Sequence, residues 1–185
     1  AAIKDIAWIR ILYCYPEEID DALIEVIKNE SKVCHYLDMP IQHASDSILK
    51  KMGRRTTKQE LKDVINKLRE NIPDIALRTL ITGFPGETQK DHEEMLDFVD
   101  EMEFDRLGVF TYSPEEDTPA AVMPDQIDEE VKEQRRDAVM ELQQEVSLDK
   151  SEEMVGKVID CLIEGKIEDD DTYVGRSYKD APNVD

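Results

Sequence analysis

Residues 81–88 read ITGFPGET. An apolar run from Ile75 to Ile81 leads into the stretch and a helical pattern follows from Thr88, so two glycines and a proline sit where a strand hands over to a helix. Such a turn brings bare backbone close to a small ligand at the end of a strand. A phosphate loop would need a Lys-Ser or Lys-Thr pair after its glycines, whereas Gly86 is followed by Glu87-Thr88. A carboxylate is a poor neighbour for phosphate, so the loop is expected to hold a different ligand.

Upstream, IAWIRILYCYP is apolar, β-branched and aromatic, and predicts a buried strand from about Ile6 to Tyr13. Pro16-Glu17-Glu18 then predicts the start of a helix with Ile19, Leu23 and Ile27 inward. A short strand from His35 to Met39 is expected to end at Pro40, followed by a short helix from Ala44 to Lys51. In TTKQELKDVINKLRENIP, Thr57 and Glu60 form a capping box, with Leu61, Val64, Ile65 and Leu68 at helical spacing and a stop before Pro73. The strand Ala76 to Thr82 enters the quoted loop, and the helix after it carries Met95, Phe98, Val99 and Met102 on one stripe. A fourth strand, Arg106 to Tyr112, ends in SPEEDTPA. A long helix follows from about Gln126 to Glu153, with Ile127, Val131, Ala138, Leu142 and Val146 expected inward.

Strand and helix thus alternate four times with crossovers long enough for parallel pairing. Right-handed parallel units curl into either an open doubly wound sheet or a barrel, and four alone make half of an eight-fold barrel, with open edges that invite self-association. From about Met154 the character changes: VGKVIDCLIEG and YVGRSY read as two strands around the acidic turn KIEDDDT. Two short strands cannot bury a core alone, so they either lean on the first part or begin a second domain.

The chain has 185 residues, 40% hydrophobic and 36% charged, with a net charge of −21. That charge repels nucleic-acid backbone and suits a basic protein partner better than RNA, although from charge alone plain solubility is the favoured reading. The one local basic cluster is KKMGRR, Lys50 to Arg55, read as a solvated face. No apolar run approaches the roughly 18 residues of a membrane span, and the N-terminal stretch lacks a signal-peptide pattern, so the expected setting is the cytosol. Cys14, Cys34 and Cys161 lie far apart and are expected to be reduced, mostly buried thiols rather than metal ligands.

In parallel α/β folds, ligands lie at the carboxyl ends of the strands. All four such ends carry unusual residues, YCYPEE, PIQHAS, GFPGET and YSPEEDT, while the opposite loops near Glu70 to Asp74 and Glu103 to Asp105 read as plain connections. Taken singly, Gln42 and His43 suit a ligand's polar edge, but Ser45 and Asp46 serve equally as helix caps. His43 reads as a hydrogen-bonding residue, since His35 and His92 are not placed to join it around a metal. Arg78, between apolar neighbours, needs an anion from a ligand, Glu87 or Asp38. Glu115, Glu116 and Asp117 read as exposed acids. No nucleophile–base pairing offers itself. The residues alone give a cofactor-sized pocket and no reactive group.

Together, WIRILYCYPEEI, YLDMPIQHASDSILKKMGRRTT, LRTLITGFPGET and FTYSPEEDTPA resemble the radical-SAM methylthiotransferases, and GRSYKDAPNVD resembles the opening of the TRAM domain that ends those enzymes. PIQHAS and YSPEEDTPA are similar to the branch that modifies an aspartate of a ribosomal protein rather than the branch acting on tRNA. The resemblance implies an α/β fold: the second half of a radical-SAM (β/α) partial barrel over residues 1–125, a connecting helix over 126–153 and an incomplete TRAM start over 154–185.

It further implies two [4Fe–4S] clusters whose ligands lie outside this chain. The family's C-x3-C-x2-C loop is not among these residues, so an excised, catalytically inactive piece is expected. The implied cofactor is S-adenosylmethionine, cleaved reductively to a radical that takes hydrogen from the aspartate β-carbon before methylthio transfer. Carried over by motif position, its contacts are Gln42, His43, Ser45, Arg78, Ile81, Gly83, Phe84, Gly86, Glu87, Tyr112 and Ser113. Ile81, Tyr112 and Ser113 fall near the adenine, and Gln42, His43 and Ser45 near the ribose and methionine. The partners implied are a basic ribosomal protein and an electron donor, with no membrane or nucleic acid. A tRNA methylthiotransferase and a non-catalytic binding module are the alternatives.

Overall fold

A computed structural model describes residues 3–168 and 170–181, without the side chains of Arg78 and Thr79. Its centre is a four-stranded parallel sheet in the order β1 (Ile9–Ile11), β2 (Val33–Gln42), β3 (Ala76–Thr82) and β4 (Val109–Thr111). Helices α1 (Asp21–Asn29), α2 (Asp46–Lys51), α3 (Lys58–Asn71) and α4 (Gln89–Met102) lie in the crossovers, and α5 (Glu129–Glu152) follows the last strand. A separate antiparallel hairpin, β5 (Leu162–Lys166) with β6 (Tyr173–Arg176), ends the described chain. This is the half-barrel that the alternation predicts, with a long helix and a small second sheet behind it.

Strand alternation divides the core in two. Leu37, Met39 and Ile41 of β2 pack with Leu61, Ile65 and Leu68 of α3 and with Met95, Phe98 and Val99 of α4. On the other side of the sheet, Cys34, Tyr36 and Ala76 pack with Ala181, Trp8 and Tyr178. The capping box at Thr57–Glu60 starts α3, and a second one at Thr88–Asp91 starts α4.

Several expectations need correction. The first strand is three residues long and only half-buried, because β1 is an edge strand with one neighbour. Pro16–Glu18 form a 3-10 turn, and α1 starts at Asp21, where the Asp20 carboxylate accepts the Leu23 N–H. The second strand runs through Pro40 to Gln42. There the pairing with β1 has already ended, at Leu37, and the register with β3 shifts between Asp38 and Gln42, so the missing N–H breaks no ladder. The fourth strand is confined to Val109–Thr111.

The inner face of α5 is turned by one position: Lys132, Arg135, Val139, Gln143 and Val146 are buried, while Ile127, Val131, Ala138 and Leu142 are half-buried. Cys34 is buried as expected, but Cys161 is exposed. The two strands of the hairpin are solvent-facing, and it is the segment after them that leans on the barrel. Arg10 donates to the carbonyls of Ser177, Tyr178 and Asp180 at 3.0, 3.2 and 2.6 Å. Lys179 reaches Asp105 at 2.7 Å and Tyr178 Oη donates to Asp74 at 3.0 Å. The loops read as plain connections therefore receive this strap. No helix among the described residues is long and apolar enough to cross a membrane.

Candidate functional site

The four strand ends converge at the edge of the sheet opposite the strap. At the end of β2, Gln42 adopts a left-handed φ of 73° and is buried, which re-aims the chain into His43 and Ser45. His43 is fully enclosed. Its Nδ1 accepts the Ser45 N–H at 2.9 Å, so the ring proton sits on Nε2, 3.3 Å from Glu87 Oε2. Both ring nitrogens are thus used inside the protein.

At the end of β3, the Gly83 N–H donates to Glu87 Oε2 at 2.6 Å, and Thr82 Oγ1 donates to Oε1 at 3.3 Å. Arg135 of α5 donates to Glu87 Oε1 and to the Glu87 carbonyl, both at 3.0 Å. Burial alone would raise the Glu87 carboxyl. The His43 hydrogen bond, the Gly83 N–H and the Arg135 guanidinium outweigh it and hold the group below its ordinary value. Glu87 is therefore an ionised internal brace for the loop. Gly83 has φ 77°, and the space a side chain would need there is taken by the methylenes of Lys132.

Ser45 Oγ donates to Asp91 Oδ1 at 2.5 Å and Ser47 Oγ does so at 2.8 Å, while Thr88 donates to Oδ2. Against the upward push of burial, these bonds hold Asp91 well below the usual carboxylate range. Ser45, read as either ligand contact or cap, spends its hydroxyl on α4. Behind Asp91, burial lowers the His92 imidazole from its ordinary value.

At the end of β4, the Tyr112 ring meets Phe84 edge-on at 5.2 Å. Tyr112 Oη is buried with no hydrogen-bond partner in the protein. Ile81 and Tyr112 are half-buried and Ser113 is exposed, so these three keep an accessible side. Arg78 lies opposite Asp38 in the β2–β3 register, and its side chain is outside the described part. Gly86 turns at φ 75°, and its carbonyl accepts Lys51 at 3.0 Å. The site thus has an enclosed floor, His43–Glu87–Arg135 and Ser45–Asp91, under a rim where Ile81, Tyr112 and Ser113 are accessible and Gln42 and Phe84 are buried beside them.

Sequence reasoning missed Lys132, Arg135 and Asp91. For α5 a signal exists: positions 132, 135, 139, 143 and 146 form a helical stripe, but two cations and an amide disguise it as a solvent face. Near the rim, Arg54 is not simply solvated, since its guanidinium lies 4.7 Å over the Tyr15 ring. Glu115, Glu116 and Asp117 are exposed, and among the described residues no three His, Cys, Asp or Glu side chains gather as a metal site.

A half-barrel of parallel strands followed by a long helix describes an α/β unit of the kind whose strand ends are available to ligands. The family model of the Radical SAM superfamily matches residues 1–99, more than half of the chain, and the chain belongs to that superfamily. A TRAM domain model matches residues 155–185. Over 185 residues the chain is 62% identical to "Ribosomal protein uS12 methylthiotransferase RimO" of Lachnoclostridium phytofermentans, covering 100% of this chain and 42% of that protein. The protein of the same name in Clostridioides difficile is 53% identical over 186 residues, again 42% of its length. The chain therefore spans about two fifths of the curated relatives it matches. Among solved structures, coproporphyrinogen III oxidase (HemN) from Escherichia coli, a radical SAM enzyme, aligns with 21% identity and a TM-score of 0.49, over 78% of this chain and 31% of that one.

Proposed function

We propose that this chain is the cofactor-cradling part of a radical-SAM methylthiotransferase that modifies ribosomal protein uS12, at an aspartate. What supports this most is the 62% identity that runs through all 185 residues to a relative of that name. The rim suits S-adenosylmethionine: Ile81 and the Tyr112 ring, backed by the buried Phe84 ring, offer apolar and aromatic surface for the adenine. Gln42 supplies a polar group at the neighbouring strand end.

The iron–sulfur cluster is a different matter. Cys14, Cys34 and Cys161 do not come together, so its ligands come from outside these residues. Bound in the whole enzyme, cofactor and cluster supply the radical chemistry. The residues of this chain orient the nucleoside and keep the loop's backbone in place. Without the cluster segment, the chain by itself performs no turnover. Its net charge of −21 favours a basic target such as a ribosomal protein.

A chimera tests the reading. These 185 residues replace the matching segment of the Lachnoclostridium phytofermentans relative, and uS12 from cells lacking their own enzyme is examined by mass spectrometry. The expected result is uS12 carrying a methylthio group. A folded, cluster-loaded chimera that leaves uS12 unmodified, or modifies tRNA instead, contradicts the proposal.

A further inference from the structure

Helix α5 buries two cations side by side on the loop. Lys132 is 4% exposed and Arg135 is 8% exposed. Charges taken from water need strong partners, and a leucine in either place would pack against the sheet at lower cost. Both cations give hydrogen bonds to the strand ends that form the site. Lys132 Nζ donates to the Tyr112 carbonyl at 3.0 Å and lies 5.4 Å from the Tyr112 ring centre, while its stem fills the space beside Gly83. Its second partner, Glu129 at 3.0 Å, is on α5 itself. Arg135 takes Glu87 by side chain and backbone, and Glu87 in turn holds the Gly83 N–H and His43. One helical face therefore grips the ends of β3 and β4 from behind, at residues 83, 87 and 112.

We infer that Lys132 and Arg135 are positioning residues for the nucleoside site. They act through the Tyr112 carbonyl and Glu87, and set the Gly83 backbone and the Tyr112 ring where the cofactor is received. The inference rests on the S-adenosylmethionine reading above. It adds that α5, the element leading to the TRAM-like segment, is part of the cofactor site's framework although neither cation faces the rim. Each bond from a buried cation is strong enough that its loss loosens the loop locally.

Lys132→Met keeps the unbranched stem and removes the ammonium; Arg135→Met removes the guanidinium; Arg135→Lys keeps a charge that can partly restore the contact to Glu87. Amide hydrogen exchange is measured on the full chain, and KM for S-adenosylmethionine is measured separately from kcat on the loaded chimera. The expected result is exchange faster by about tenfold or more at residues 83, 84, 86, 87 and 112 in both Met variants, with α3 unchanged. KM should rise by a similar factor, and Arg135→Lys should recover part of both effects. Unchanged exchange in the loop, exchange that quickens equally in α3, or a loosened loop with unaltered KM overturns the inference. If the unsubstituted chimera has no turnover at all, the functional reading fails instead, and the exchange data decide whether α5 positions the loop.

Discussion

Asp91 and His92 are adjacent at the start of α4, and both are buried with their acid–base equilibria displaced downward. For Asp91, burial opposes the charge but three hydroxyl donors outweigh it. Its contribution to stability is complete above the unfolded carboxyl value of about 4 and is lost as pH falls below it. For His92, burial itself lowers the value, so below about pH 6.5 the unfolded chain takes up a proton that the folded chain refuses. Both groups make stability fall as pH falls, in separate windows. His92→Gln should flatten the decline between about pH 7 and pH 5 while leaving the steeper loss below about pH 4 in place. Urea midpoints across that range check this, and an unchanged slope between pH 7 and 5 would show that His92 is not the group responsible.

Among the elements, α3 and α4 each start with a capping box, yet the two caps differ in reach. The Thr57–Glu60 box is local to α3, whereas Asp91 of the α4 box also takes Ser45 and Ser47 from the turn after β2. Asp91→Ala should therefore cost more than Glu60→Ala, since only the former also removes the bonds from Ser45 and Ser47. Equal or smaller loss in urea unfolding would mean that the Ser45–Asp91 link carries no energy of its own.

The same elements show what a sequence makes legible. Caps and apolar stripes are local, so α3, α4 and β3 could be read directly. The lengths of β1 and β4 depend on which neighbours a strand finds, and β2 outran Pro40 because its partner on that side had ended. Val146 of α5 is buried as expected, but the rest of its face was misread because the buried positions include Lys132, Arg135 and Gln143, each of which bonds to another element. In the candidate site, the positions at the strand ends were visible. The division into an inward brace and an accessible rim was not, since it depends on which hydroxyls and carboxylates meet across the fold.

Across the whole molecule, the two ends of the half-barrel are put to different uses. At one end Arg10, Asp74 and Asp105 bind the strap of residues 177–181, with Ala181 packed among Cys34, Tyr36 and Ala76. At the other end the carboxyl termini of the strands remain accessible above the His43–Glu87–Arg135 floor. A cleft of about 710 Å³ does lie on the strap side, between the ends of α3 and α5, but its Lys150, Lys179 and Arg69 are already paired with Glu103 and Asp105. The central claim is therefore that the strand-end rim, and not the strap side, receives S-adenosylmethionine. The most direct test is to titrate the cofactor into isotope-labelled chain and follow backbone amide shifts by NMR. The account predicts saturable shifts gathered at Gln42, Ile81, Gly83, Phe84, Tyr112 and Ser113. Saturable shifts gathered instead at Asp74, Asp105 and residues 177–181, with the strand ends unmoved, would contradict it.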